Sequence, residues 1–281
     1  MDSCLCGNDE KKYTFIINHA TMHCFIAFGE EFIRMTKGLI TAIRTLMVIP
    51  VPGKEGDDFS AALPWFPIVG LLLGLILYAT AFIWNHLPFD HWSWGCAVIL
   101  STLLIWLTRG LHMDGLADWA DSLGGFGRER RLAIMKDSSL GAFGVMAIAL
   151  GIIIKLIALE RIVSSGSFIF LIIIPVISRN MLVELQTTLP YARNEGMAGI
   201  FIKNATNKHR IVSHVIAIIM CAVLGLTGIF LFIAAFAVTL FLKGMFRRQF
   251  NGITGDLLGA SNEIIEVILL MIAAIPGTKI L

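Results

Sequence analysis

Long apolar runs, separated by short polar segments, dominate the chain from residue 61 onwards. Six runs occupy 61–84, 92–108, 140–159, 167–188, 211–242 and 264–275. A helix needs roughly 20 apolar residues to cross the hydrocarbon core of a bilayer. The fifth run is too long for one crossing, and Leu224–Gly228 near its middle predicts a tight turn between two helices. The pattern therefore predicts about seven transmembrane helices.

The charged residues between these runs predict an orientation in the membrane. Lysine and arginine gather in the segments 109–139, 189–210 and 243–262, while the intervening connections carry few of them. Basic loops of membrane proteins lie on the cytoplasmic side. We therefore expect these three segments to face the cytoplasm of a bacterial or archaeal cell.

The N-terminal part differs from the rest. Residues 1–34 mix polar and apolar positions without the order of a signal peptide, so they are interpreted as an extension. Residues 38–50 are apolar but too few for a full crossing, which predicts a short re-entrant or interfacial helix. Residues 35–281 then form a single membrane-embedded domain.

Composition agrees with a polytopic membrane bundle of the all-α class. Of 281 residues, 57% are hydrophobic and only 15% are charged, and the mean hydropathy is +0.80. A soluble enzyme with one anchor would need more polar surface. The net charge of +2 gives no reason to expect a nucleic-acid partner, and five cysteines, an odd number, argue against a disulfide framework.

Three aspartates form the most unusual polar feature. Asp114, Asp118 and Asp121 follow the spacing i, i+4, i+7, which places their carboxylates within roughly 60° on one face of a helix. No lysine or arginine lies three or four residues away to pair them. A solvated helix face is the simpler interpretation. Clustered anions beside apolar neighbours are costly without a positive partner, however, so we favour a divalent metal ion.

A second acidic motif lies near the C-terminus. Asp256 and Glu263 are seven residues apart, so they share a face if this stretch is helical. Glu263 opens the last apolar run, which places it at the membrane boundary, where ionisable residues are functional candidates. The alternative is an acid that favours a helix N-terminus.

Basic residues accompany both acidic motifs. Arg44 and Arg179 interrupt apolar runs and need a partner or an anionic ligand there. Lys136, Arg193 and Arg248 flank the acids, although Arg248 also fits a simple orientation signal. Carboxylates that hold a metal, surrounded by cations, suit phosphoryl transfer. Oxygen-only ligands favour Mg²⁺, with Mn²⁺ as the alternative.

Five short motifs follow one another in a fixed order along residues 35–281. They are Thr45-Leu-Met-Val-Ile-Pro-Val-Pro52, His112-Met-Asp-Gly-Leu-Ala-Asp118 with Asp121, Ile134-Met-Lys-Asp-Ser138 with Gly141 and Gly144, Tyr191-Ala-Arg-Asn-Glu-Gly196, and Thr254-Gly-Asp-Leu-Leu-Gly-Ala260 with Glu263. In this order the chain resembles the cobalamin synthase family, the adenosylcobinamide-GDP ribazoletransferases.

The resemblance implies a reaction in the last steps of cobalamin assembly. Adenosylcobinamide-GDP donates its cobinamide-phosphate moiety to α-ribazole or α-ribazole 5′-phosphate, GMP leaves, and adenosylcobalamin or its 5′-phosphate forms. It also implies a Mg²⁺ requirement and a location in the inner membrane. The expected partners are these two substrates and the lipid bilayer. Association with a second copy, or with other enzymes of cobalamin assembly, stays open.

Candidate roles follow for the charged residues. The expected metal ligands are Asp114, Asp118, Asp121 and Asp256. The expected catalytic residues are Asp121, Asp137 and Glu263. The expected substrate-binding residues are Arg44, His112, Lys136, Arg179, Arg193 and Arg248. One carboxylate is expected to act as the general base.

Two alternatives remain at this point. The CDP-alcohol phosphotransferases carry a similar aspartate series, but its spacing differs and its Ala-Arg pair is missing here. A transporter would also place charges among apolar helices. Its charges usually lie at mid-span in repeated halves, whereas these acids gather at one edge and the sequence has no internal repeat.

Overall fold

The computed structural model describes residues 33–87 and 92–275, and its secondary structure in these ranges is helical. The predicted extension, apart from its last two residues, lies outside them. The helices are α1 (33–46), α2 (Phe66–Asn85, continuing a 3₁₀ helix at Phe59–Trp65), α3 (Ser93–Leu107), α4 (Leu111–Ser122), α5 (Arg128–Ile134), α6 (Ala142–Ser164), α7 (Phe170–Thr188), α8 (Met197–Lys203), α9 (Asn207–Ala222), α10 (Gly225–Phe250) and α11 (Gly255–Ala274).

Five helices in the described ranges are long and apolar enough to cross a membrane. They are α2 with its 3₁₀ segment, α6, α7, α10 and α11. The pair α3 and α4 passes the same test together but is bent by 85°, which raises the number to six if the pair is one broken span. Helix α9 has only 16 residues. The chain is a multi-pass membrane protein, and the predicted total of about seven crossings is not confirmed.

The helix boundaries agree with the apolar runs except at two places. The long run is divided as predicted, because α9 ends at Ala222 and α10 begins at Gly225. Helix α11, however, begins at Gly255 rather than at residue 264. The Thr254 hydroxyl accepts a hydrogen bond from the Leu257 amide (3.2 Å) and caps this helix. The second difference is α10, which continues through the predicted basic loop to Phe250.

Helix α7 occupies the centre of the bundle and is buried over nearly its whole length. It approaches α2 closely because α2 presents glycines there. A Cβ atom on Gly70 would lie 2.3 Å from the Pro175 carbonyl oxygen, and one on Gly74 would lie 2.6 Å from the Ile172 Cα. Small residues allow such backbone contact between helices in lipid. Packing in the core thus fixes the position of α7. Helix α11, which carries part of the site described below, also packs against α7.

Candidate active site

The break between α3 and α4 sets the direction of the aspartate helix. Arg109 (φ 56°) and Gly110 (φ 66°) both adopt left-handed backbone conformations, which a non-glycine residue rarely does. The Arg109 guanidinium donates hydrogen bonds to the carbonyl oxygens of Arg44 and Met47 at the end of α1. These bonds fix the bend, and α4 leaves it at 85° to α3.

Two glycines then allow α4 to cross α11 at close range. A Cβ atom on Gly115 would lie 2.5 Å from the carbonyl oxygen of Asp256, and one on Gly259 would lie 3.2 Å from that of Leu111. Any larger side chain at Gly115 would separate the helices. This crossing brings the acidic face of α4 to the first turn of α11.

Three carboxylates lie near this crossing, and we call Asp114, Asp118 and Asp256 the acid cluster. The charge of Asp118 is repelled by Asp256 and Asp114, and Asp256 is repelled by Asp114. Arg193 supplies a positive charge, with its Nη2 2.7 Å from Asp256 Oδ2. The two groups form a charge pair without an aligned hydrogen bond. One guanidinium faces three carboxylates, so the cluster keeps excess negative charge.

Asp121, the third aspartate of the predicted triad, contacts a different element. Its carboxylate accepts hydrogen bonds from the backbone amides of Gly141 (2.7 Å) and Gly144 (2.8 Å) at the start of α6. Such bonds satisfy amides that a helix N-terminus otherwise leaves free. A Cβ atom on either glycine would lie 2.4 Å from a carboxylate oxygen of Asp121. Asp121 therefore joins α4 to α6, and its metal and catalytic roles stay predictions.

The loop that carries Arg193 is fixed to the start of α11 by backbone hydrogen bonds. The Ile253 amide donates to the Pro190 carbonyl oxygen, and the Ala192 amide donates to the Ile253 carbonyl oxygen, each at 2.9 Å. Arg128 Nη2 donates to the Ala192 carbonyl oxygen at 2.8 Å. These bonds hold Arg193 beside Asp256.

Two cavities open on either side of Arg193. The smaller, about 280 Å³, is bordered by the acid cluster residues Asp114 and Asp256 and by His112 and Gln186. The larger, about 570 Å³, is bordered by basic and polar residues: Arg128, Lys136, Asn194 and Glu195. Arg193 therefore lines both a largely apolar cavity that carries two carboxylates and a cavity that carries further basic residues.

Comparison with known proteins identifies the family. The family model described as cobalamin-5-phosphate synthase matches residues 38–274. The chain belongs to this family. Proteins named adenosylcobinamide-GDP ribazoletransferase are similar to it. One from Prosthecochloris aestuarii is 43% identical over 240 residues, which cover 83% of this chain and 96% of the relative. One from Syntrophobacter fumaroxidans is 40% identical over 251 residues, with 87% and 95% covered.

Membership in the cobalamin-5-phosphate synthase family confirms the resemblance seen in the motifs. The family match covers the motifs that surround the acid cluster and Arg193. It favours a transferase over both alternatives, the CDP-alcohol phosphotransferases and a transporter. No solved structure matches the chain at a significant level.

Other predicted residues lie away from the two cavities. Arg44 Nη2 donates to the carbonyl oxygens of Val51 (2.8 Å) and Gly53 (3.0 Å), and so holds the loop after α1. Asp137 is exposed, and hydrogen bonds from Ser139 lower the pKa of its carboxyl group. Arg248 is exposed in the last turn of α10.

Arg179 and Glu263 belong to a set of four buried charges that we call the buried ion network. Lys155 Nζ lies 2.6 Å from Glu263 Oε2 and 3.5 Å from Glu266 Oε1. Arg179 Nη1 lies 2.7 Å from Glu266 Oε2. The sequence interpretation missed Lys155 and Glu266, although each is a charge within an apolar run, which was the available signal.

The acid cluster has the donor chemistry for a magnesium ion but not a complete cage. In the ranges 33–87 and 92–275 no three histidine, cysteine, aspartate or glutamate side chains converge to hold an ion. Magnesium usually takes one or two protein carboxylates and completes its shell with water and substrate phosphates. Asp256 Oδ2 lies 2.7 Å from Arg193 Nη2, and Asp114 and Asp118 add negative charge beside it. These donors fit Mg²⁺ bound together with a phosphate ligand.

Proposed function

We propose that this protein is an adenosylcobinamide-GDP ribazoletransferase. It transfers the cobinamide-phosphate moiety of adenosylcobinamide-GDP to α-ribazole or its 5′-phosphate and releases GMP. The observation that carries the proposal is the acid cluster beside Arg193, which lines two cavities. Such an arrangement suits a reaction that divides a diphosphate, because each phosphate needs positive charge around it.

The cavity volumes support a division of the substrate between the two sides of Arg193. About 280 Å³ lies just below the range of roughly 300–1,000 Å³ typical of pockets that enclose a drug-sized ligand. A corrinoid is larger still, so only its phosphate end would enter the smaller cavity. The guanosine phosphate would then lie in the larger cavity, near Arg128 and Lys136.

We assign Mg²⁺, or Mn²⁺, to Asp114, Asp118 and Asp256 together with substrate phosphate oxygens. When bound, the ion would neutralise diphosphate charge and favour attack at phosphorus. Arg193 would stabilise the charge that grows on the oxygens around the transferred phosphorus. The ribazole oxygen forms a bond to this phosphorus, the bond to the GMP oxygen breaks, and a carboxylate of the acid cluster accepts the hydroxyl proton. Asp121 would keep α4 against α6 during the reaction.

We also propose that the two cavities face the cytoplasm, where nucleotide substrates are made. The basic residues around the larger cavity agree with the positive-inside rule. Single cysteines in place of Lys136 and His86, in a cysteine-free background, provide a test. The predicted topology puts these two positions on opposite sides of the membrane. We expect a thiol reagent that does not cross membranes to modify K136C only after the inner membrane is permeabilised. The same reagent should modify H86C without permeabilisation. The reverse pattern would contradict the orientation.

The activity can be tested directly in purified protein in detergent. We expect GMP and the corrinoid product to form in equal amounts from adenosylcobinamide-GDP and α-ribazole, and to require added Mg²⁺ or Mn²⁺. Mass spectrometry of the products distinguishes transfer from hydrolysis. GMP release that does not depend on α-ribazole would indicate a hydrolase. Absence of GMP with every divalent metal would reject the proposed function.

A further inference from the structure

His112 connects the smaller cavity to the buried ion network. It lies on α4, is buried, and borders the cavity two residues before Asp114. Its Nδ1 lies 3.1 Å from Nδ2 of Asn262 on α11. Asn262 Nδ2 also lies 3.2 Å from Glu266 Oε2. A chain of hydrogen bonds therefore leads from Glu266 through Asn262 to His112.

The charge of Glu266 decides which way the Asn262 amide points. Arg179 lies 2.7 Å from Glu266 Oε2, and Lys155 lies 3.5 Å from Oε1. Two cations at these distances hold Glu266 as a carboxylate, which can only accept hydrogen bonds. Asn262 must therefore turn its NH₂ group towards Glu266. If the amide were flipped, its oxygen would face a carboxylate oxygen of Glu266, and the two acceptors would repel each other.

The same amide group then decides which nitrogen of His112 carries the proton. One Nδ2 hydrogen of Asn262 is directed to Glu266, and the other is directed to His112 Nδ1. Since Nδ1 accepts this hydrogen bond, it has no proton, and a neutral imidazole must carry its proton on Nε2. Asn262 Oδ1 is buried without a hydrogen-bond partner. Leaving this acceptor unsatisfied costs free energy. The two hydrogen bonds of the NH₂ group offset that cost, and they fix the orientation of the amide.

We propose that Glu266, acting through Asn262, fixes His112 as the neutral Nε2–H tautomer, and that this N–H donates a hydrogen bond to a phosphoryl oxygen of the substrate. Glu266 and Asn262 are positioning residues, and His112 is the residue that touches the substrate. In this form Nε2 cannot accept the ribazole proton, which leaves proton transfer to the acid cluster. The identity of the acceptor rests on the proposed function, whereas the tautomer rests on the described hydrogen bonds alone.

The tautomer can be measured without turnover by nitrogen NMR of protein labelled with ¹⁵N-histidine. The signals of His112 are assigned by their loss in His112→Gln. We expect an unprotonated, pyridine-type Nδ1 and a protonated, pyrrole-type Nε2. In Asn262→Asp a carboxylate faces the ring, and the proton should move to Nδ1. Ser261→Ala, a neighbouring buried residue on α11 outside the chain of hydrogen bonds, should leave the signals unchanged.

Wild-type protein with its proton on Nδ1, or with both ring nitrogens protonated, would overturn the proposal. So would an Asn262→Asp protein that folds and keeps the Nε2–H form. If Asn262→Asp does not fold, the wild-type spectrum still decides the tautomer. A wild-type protein that shows the expected tautomer but releases no GMP would reject the proposed function and leave the assignment of the proton intact.

Two substitutions of His112 provide a second, kinetic test. The amide nitrogen of glutamine can occupy the place of Nε2, whereas that of asparagine reaches only the place of Nδ1. We expect His112→Gln to keep kcat within about 10-fold of wild type, since it retains a donor. His112→Asn should lose about 100-fold, as expected when one donor to a developing charge is removed. Equal activity of the two variants, or a more active asparagine variant, would contradict the role of Nε2–H.

Discussion

The acid cluster and the buried ion network both depend on α11, yet their charges are balanced differently. In the network, two carboxylates and two cations lie 2.6–3.5 Å apart and are buried. In the cluster, three carboxylates share one guanidinium, and two of them, Asp114 and Asp256, border a cavity. A balanced set holds helices together and has little left to offer a ligand. An unbalanced set is expected to bind positive charge, which makes the acid cluster the place for a metal and a phosphate.

Removal of one cation from the buried ion network should have the largest effect on stability. Lys155→Met leaves Glu263 buried without its partner, and loss of one partner of a buried pair costs about 3–5 kcal/mol. We expect a large fall in the free energy of unfolding, measured by denaturant titration in detergent micelles. The double variant Lys155→Met, Glu263→Leu should recover most of the loss. A single variant as stable as wild type would show that these charges do not hold the bundle.

The opposite result is expected in the acid cluster. Asp118→Asn removes one of three mutually repelling charges, so stability should stay equal or rise slightly. GMP formation should fall about 100-fold or more, the scale for loss of one electrostatic contact to the transition state. Glu129→Gln, an exposed acid on α5, is the matched control and should leave activity unchanged. Full activity of Asp118→Asn with its Mg²⁺ dependence intact would remove Asp118 from the site.

The helix crossing that builds the acid cluster can be disturbed without changing any charge. Gly115→Ala places a methyl group 2.5 Å from the Asp256 carbonyl oxygen, and such overpacking costs about 1–3 kcal/mol. Separation of α4 from α11 should lower activity as well as stability. Gly244→Ala is the control, because a Cβ atom there has no neighbour within 4 Å. Equal behaviour of the two variants would show that close contact at Gly115 is not required.

A smaller effect on stability than in the buried ion network is expected at the charge pair in the cavity wall. Arg193 and Asp256 have side-chain exposures of 22% and 23%, against 2% and 5% for Lys155 and Glu263. The contacting atoms Arg193 Nη2 and Asp256 Oδ2 are buried although their side chains are partly exposed, so the pair lies between a surface pair, worth roughly 0–1 kcal/mol, and a fully buried one. Arg193→Gln should therefore lower the free energy of unfolding by about 1 kcal/mol, less than Lys155→Met, while it raises KM for adenosylcobinamide-GDP. A loss as large as that of Lys155→Met would mean that both regions are structural.

Much of the fold follows from hydropathy alone. The apolar runs place the main helices, and Leu224–Gly228 marks the division between α9 and α10. The start of α11 could not be predicted in this way, because its first two turns mix polar and apolar residues, most of which are buried by other helices. The short helices α8 and α9 also lie within or beside segments that the charges alone suggested were loops.

The site was predictable only where it depends on spacing within one helix. The i, i+4 spacing puts Asp114 and Asp118 together on α4, as expected. The partner of Asp121 is the N-terminus of α6, and nothing in its local sequence indicates this contact. Lys155 and Glu266 are 111 positions apart along the chain, so no local pattern could reveal that they pair. Tertiary packing decides which acids face each other.

The buried ion network also determines when its charges can pair during synthesis of the protein. Arg179 and Glu266 are 87 positions apart, and the cations on α6 and α7 leave the ribosome long before the acids on α11. Until then Lys155 and Arg179 must enter the bilayer unpaired, at about 2.5–3.5 kcal/mol each on insertion scales. A nascent chain that stops before α11 carries two such cations. Pairing of these charges is therefore completed only when the last helix joins the bundle.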